Sequence, residues 1–348
     1  MMTLRQFERL KDTIRDTQFS GVIRIKKGNT TVFDSASGYA SKSYGVPNTM
    51  KTRFANASVT KMFTATVVLM LVEKGFLALD QPVAAYLDLE DSDLNCDMTV
   101  RHLLTHTSGV AEYFDNSDPN GFENLWLQLP NPYIDSLAKM LPLFIDEPPV
   151  GLPGHDFDYS GSGFILLGLM IEKATGLDYY TAMDQMLFEP AFMRETGFIP
   201  LQNVVDHVAE GYMPAKDEHN RILGWTRNIY SVPTFGLSDG GAFSTAKDLI
   251  KFMRALRGGQ LISDKSFQEM IGPQVVVSDN VQYGFGMWLE FNEGKLFKYG
   301  HTGEDPGVSA SVYYYPIYDV DVVVLGNHSF STSAIVKEIE KCLRIDIS

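Results

Sequence analysis

The chain has 348 residues, 45% of them hydrophobic and 21% charged, the proportions of an ordinary globular protein with ample core. Its net charge of -14 is spread along the chain without a long acidic block, which argues against nucleic acid or an anionic membrane as partner. The longest apolar run, around 62–72, is too short for a membrane span, which needs about 20 such residues.

Met1-Met2-Thr3-Leu4-Arg5 lacks the basic-then-apolar profile of a signal peptide. Leu4, Phe7, Leu10 and Ile14 instead predict an amphipathic helix, and a cytoplasmic location is expected. Residues 19–26 and 30–37 are rich in β-formers around Lys27-Gly28-Asn29 and predict a hairpin, after which strands disappear for a long stretch. Helical patterns follow at 62–74 stopped by Gly75, 100–105 before Ser108-Gly109, 164–174 stopped by Gly176, and 246–257 stopped by Gly258-Gly259. Strands return at 283–290, 296–299, 308–315 and 320–325, joined by short turns that make neighbours antiparallel. A final helix over 333–344 places Ile335, Ile339 and Cys342 on one face; Cys96 is far away in sequence, so reduced thiols are expected. The economical architecture is α/β of the α+β type. One antiparallel sheet is built from both chain ends (1–57 and 245–348) and flanked by helices, a mostly helical domain (58–244) is inserted, and the active site lies at the interface.

Ser58-Val59-Thr60-Lys61 puts a hydroxyl and an amine three residues apart on one helical face. The helix they open is apolar all round and must be buried, and apolar surroundings that disfavour a charged lysine would let it take the serine proton. Ser136-Leu137-Ala138-Lys139 and Ser244-Thr245-Ala246-Lys247 share the spacing, but the first reads as an exposed helix and the second as an N-cap. Gly236-Leu237-Ser238-Asp239-Gly240 fits a nucleophile elbow, yet Pro233 precedes and Gly240-Gly241 follows where a strand and a helix are required; a glycine-rich loop lining a cleft is the better account. His102 and His106 have zinc-helix spacing, but Leu103 stands where that motif needs glutamate, so neither metal nor cofactor is expected. Tyr159, just before the helix at 164–174, offers a phenol for proton relay, and the glycine of His301-Thr302-Gly303 lets a substrate backbone lie along a strand edge.

In the order Ser-Lys, Tyr, His-Thr-Gly these segments resemble the serine β-lactamase and penicillin-binding superfamily, nearest its class C β-lactamase, DD-peptidase, D-aminopeptidase and esterase branch. Leu103-Leu104-Thr105-His106-Thr107-Ser108-Gly109 and Gly240-Gly241 before Ser244-Thr245 add to the likeness, which runs from Phe19 to the C-terminal helix. The resemblance implies that Ser58 is acylated, that Lys61 and Tyr159 act together as base and acid, and that the amides of Ser58 and Glu304 form an oxyanion hole beside His301, Thr302 and Gly303. Two departures stand out. The β-lactamases of this branch carry Asn at the position of Gly161 and Lys at that of His301, so strong β-lactamase activity is not expected and a charge titrating near neutrality replaces a permanent one. The expected activity is metal-free serine hydrolysis of a small amide, short peptide or ester. Carboxylesterase, a penicillin-binding sensor that acylates without turnover, and a pseudoenzyme are the alternatives. Residues 113–132, with Phe114, Phe122, Trp126 and Leu127, are expected to cover the cleft.

Overall fold

Apolar residues alternating with polar ones on the outer strands, and apolar on both faces of the inner ones, require a sheet covered on both sides. The computed structural model describes residues 4–345 apart from 90, 91, 93, 95, 96, 116, 119 and 220, so Cys96 lies outside the described residues. Its main sheet has eight strands, in spatial order Thr30–Ser37, Gly21–Lys27, Val320–Gly326, Val308–Tyr315, Lys295–Asp305, Trp288–Asn292, Val281–Tyr283 and Val275–Ser278. Every neighbouring pair is antiparallel. The sheet thus joins both chain ends, with Gly21 opposite Gly326 and Val22 opposite Leu325.

Period two divides the inner strands between two cores. Ile23, Ile25, Val322 and Val324 face Leu10 and Ile14 of the helix Leu4–Asp16 and Ile335, Ile339 and Cys342 of the helix Ser333–Ile345. Val22, Ala310, Val312, Val323 and Leu325 face the other way, into the core shared with the helical half. At its centre is the helix Thr60–Glu73, buried from Thr60 through Leu71 and packed on the helix Gly161–Thr175. Gly176, at φ 69, ends the latter helix as the sequence suggests. Among the described residues no helix is long and apolar enough to cross a membrane.

Three expectations need correction. The strand expected over 283–290 is two strands, interrupted by Gly284-Phe285-Gly286. Gly286 has φ 67, and a Cβ there would stand 2.6 Å from the Cβ of Ala65, so the chain turns directly against the central helix. The long strand-free interval holds a hairpin, Tyr212–Lys216 with Ile222–Arg227, and a short pairing of Phe54–Ala55 with Phe243–Ser244. Ser136 precedes not an exposed helix but a 3-10 run, Leu137–Leu143, with Leu137 and Met140 buried and with Pro142, which cannot continue an α-helix, inside it.

Candidate active site

A short pairing holds the turn that carries Ser58. Beyond Phe54–Ala55, the Asn56 amide donates to the Ala242 carbonyl (2.8 Å) and its side chain donates to Ser244 Oγ (2.8 Å). Ala57 is then forced to φ 44, a conformation costly for a residue with a Cβ. The 3-10 turn Ala57–Val59 runs straight into the helix Thr60–Glu73. Strand Lys295–Asp305 passes this turn so closely that a Cβ on Gly303 would stand 2.2 Å from the Asn56 carbonyl oxygen and 2.8 Å from the Ser58 nitrogen. Glycine is therefore what allows the strand end to reach the serine.

Lys61 Nζ donates to Ser58 Oγ at 3.2 Å and to the Asp239 carbonyl at 2.8 Å, and lies 4.0 Å from the Asp239 carboxylate. It sits 4.9 Å from the ring centre of Tyr159, which stacks on Trp288 at 5.9 Å. The sequence expectation that burial would discharge this lysine is corrected. Burial does push its pKa down, but the electrostatic pull of Tyr159, Asp239 and Glu112 and a hydrogen bond with Tyr159 outweigh it, and the net direction is up. Tyr159 is raised by burial, against the opposing pull of Lys61 and of hydrogen bonds with Ser58 and Lys61.

Carboxyls surround this pair. Glu112 accepts the amides of Gly161 (2.5 Å) and Ser162 (3.3 Å) at the start of the helix Gly161–Thr175, yet burial lifts it to about 7. Asp239 accepts from the Tyr113 hydroxyl at 3.0 Å and is also raised by burial. A Cβ on Gly161 would meet the Asp239 carboxylate at 2.6 Å and the Tyr113 ring at 2.8 Å, so carboxylates and a phenol fill the space that the resemblance gives to an asparagine.

His301 departs furthest from its expected role. It is 1% exposed and absent from the cleft wall. Its Nδ1 donates to the Thr302 carbonyl, which leaves Nε2 to accept from the Tyr283 hydroxyl at 3.0 Å. Tyr283 in turn accepts from His106 Nε2 at 3.2 Å, since His106 Nδ1 receives the Ser160 amide at 3.1 Å. Burial lowers His301 to about 3 and His106 well below its ordinary value. The two imidazoles are neutral and do not titrate near neutrality. His102 Nδ1 caps its own helix by accepting the Thr99 amide at 3.2 Å.

Ser58, Lys61, Tyr159 and Glu304 line one cleft of about 460 Å³, together with Glu112, Tyr113, Phe114, Phe122, Asp239 and Asp305. Thr302 faces the opposite side of the sheet, beside Trp288, Lys298 and Tyr313. Trp126 is buried in the helix Gly121–Gln128, and the side chain of Leu127 lies outside the described residues. Ser238 is fully buried, and a Cβ on Gly168 would stand 2.4 Å from its Oγ, so it presents no nucleophile to the cleft. Sequence reasoning missed Glu112, Asp239 and Asp305 as cleft residues, although the glycine-rich loop pointed toward Asp239; the segment expected to cover the cleft does supply Tyr113, Phe114 and Phe122 to its wall.

Comparison with known proteins places this geometry in context. The family model described as Beta-lactamase matches residues 7–340. Penicillin-binding protein 4* of Bacillus subtilis (strain 168) is 28% identical over 94% of this chain and 72% of its own length. D-aminopeptidase of Brucella anthropi is 28% identical over 81% of this chain, which spans only 51% of that longer protein. The crystal structure of a penicillin binding protein from Bacillus halodurans superposes with a TM-score of 0.90 at 36% identity, covering 95% of this chain and 99% of that one.

Proposed function

This chain belongs to the beta-lactamase family, and on that premise we propose that it is a serine hydrolase that cleaves a small amide, short peptide or ester through an acyl-enzyme on Ser58. The observation that carries the reading is the contact of Ser58 Oγ with Lys61 Nζ at 3.2 Å, with Tyr159 beside both in an open cleft. Ser58 Oγ attacks the substrate carbonyl carbon while its proton passes to the Lys61–Tyr159 pair. The same pair returns that proton to the departing amine or alkoxide. Water then attacks the ester carbonyl, gives its proton to the pair and frees Ser58. The amides of Ser58 and Glu304 receive the charge developing on the carbonyl oxygen, brought together by the close passage at Gly303.

Because Lys61 holds its proton more tightly than a free amine does, the fraction of enzyme able to accept the serine proton grows with pH. The carboxylates around Gly161 leave no amide for the side-chain amide of a β-lactam, which favours other amides and esters. The test is intact-mass spectrometry with a fluorophosphonate and with penicillin, alongside turnover of chromogenic esters and amides. One adduct on Ser58 with steady turnover is expected. An adduct elsewhere, or a burst on Ser58 with no turnover, would replace this reading with that of a different nucleophile or of an acylating sensor.

A further inference from the structure

Two threonines interrupt the apolar run of the central helix, and they behave differently. Thr66 Oγ1 turns back on its own helix and donates to the Met62 carbonyl at 2.7 Å, the ordinary refuge of a hydroxyl in a helix interior. Thr64 Oγ1 reaches out of the helix and donates to the Ser238 carbonyl at 2.6 Å. Its one proton is spent there, so it accepts from the Tyr179 hydroxyl at 2.7 Å. Thr64, Tyr179 and Ser238 are all fully buried, where a lost hydrogen bond finds no water to replace it.

Ser238 and Asp239 form the middle of a tight turn closed by Leu237 and Gly240, whose amides donate to one another's carbonyls at 2.6 and 3.2 Å. Both central carbonyls point at the central helix: that of Ser238 accepts from Thr64, and that of Asp239 accepts from Lys61 Nζ at 2.8 Å. Residues 61 and 64 are neighbours on one helical face, as 58 and 61 are. Thr64 and Lys61 therefore grip successive peptides of one turn. Beyond it the Ala242 amide donates to Thr60 Oγ1 at 3.1 Å, which fixes the chain to the same helix a second time. Where Asp239 stands matters twice to Lys61, through its carbonyl and through its carboxylate 4.0 Å away.

We propose that Thr64, backed by Tyr179, is a positioning residue for the reaction at Ser58: it fixes the Ser238–Asp239 turn against the central helix and thereby sets where the Lys61 amine stands relative to Ser58 and Asp239. This rests on the serine-hydrolase reading and adds to it a residue absent from the cleft wall. The titratable groups that raise Lys61 are Tyr159, Asp239 and Glu112, and the amine in turn acts on Asp305 and on the imidazoles of His106 and His301. Asp239 alone among them belongs to the turn that Thr64 holds. Releasing the turn takes a hydrogen-bond acceptor and an acidic neighbour away from the ammonium, and both losses lower its pKa.

The Lys61 titration is read without substrate, by NMR of protein carrying isotope-labelled lysine, with Lys61→Ala supplying the assignment. Acylation by a chromogenic ester is followed alongside and corrected for the fraction of Lys61 that is deprotonated. Thr64→Val is expected to lower the Lys61 midpoint by at least about half a pH unit and the corrected acylation rate by at least about tenfold. Thr64→Ser keeps the hydroxyl and should restore both. Thr66→Val removes an equally buried hydroxyl from the same helix and should leave both in place. Tyr179→Phe cuts the chain from its other end and should move both in the direction of Thr64→Val, and it decides the matter should Thr64→Val fail to fold. An unmoved midpoint in Thr64→Val or in Tyr179→Phe, an unchanged corrected rate in Thr64→Val, no restoration by serine, or an equal effect of Thr66→Val would overturn the proposal. The NMR measurement needs no turnover. A midpoint that shifts in a protein hydrolysing nothing sinks only the hydrolase reading, whereas wild-type adduct formation and turnover with unmoved midpoints sink only the role of Thr64.

Discussion

Exchanging Asp305 for asparagine should stabilise the protein, and increasingly so as pH rises. Folding moves this carboxyl from an ordinary value of 3.8 to about 8. Between those values the folded chain holds a proton that the unfolded chain has released, so the wild type loses stability as pH climbs from about 4 to about 8 and loses nothing below. At about 1.36 kcal/mol per pH unit the interval amounts to about 5 to 6 kcal/mol, a ceiling that screening by water in the cleft brings down to roughly half. The asparagine variant should therefore exceed the wild type by about 2 to 4 kcal/mol at pH 9 and by less than about 1 kcal/mol at pH 5. Urea denaturation at pH 5, 7 and 9 and constant ionic strength measures this. A difference that stays flat across the three values, or a variant less stable at pH 9, would refute the reasoning.

Lys61→Ala and Tyr159→Phe should each slow acylation at least about a hundredfold in stopped-flow assays while the fold survives, and wild-type acylation should accelerate above neutral pH; a profile level from pH 6 to 10 would contradict a pair that holds its proton tightly. Tyr283→Phe strands His106 Nε2–H and His301 Nε2 inside the core and should cost about 2 to 4 kcal/mol in chemical denaturation, whereas a loss below about 1 kcal/mol would show that neither imidazole depends on the phenol.

Local signals were legible in the sequence. The serine and lysine share a face because three residues nearly complete a helical turn, and the apolar run behind them could only be a buried helix. The terminal strands were legible from their β-branched runs. What escaped was convergence. Glu112, Asp239 and Asp305 come from three segments far apart in the chain, each unremarkable alone, and meet only when the fold closes. His301 misled for the same reason, since a histidine before Thr-Gly looks ready to titrate until Tyr283, from another strand, is found to occupy its outer nitrogen. The break at Gly284–Gly286 depends on the central helix pressing against it, which strand propensity does not register.

The meeting of the two chain ends in one sheet sets an order of events during synthesis. Ser20 hydrogen-bonds Asn327, 307 positions further on, so the first hairpin leaves the ribosome with an open edge that stays unpaired until that distant strand has emerged. Such long-range closure folds slowly and exposes a sticky edge meanwhile. The same order delays reactivity. The nucleophile is made early, but the strand Lys295–Asp305 that must lie against it follows far later in translation. A nascent chain that has not reached Lys295 therefore carries Ser58 without its partner strand, and the acylating machinery assembles only once that strand has emerged.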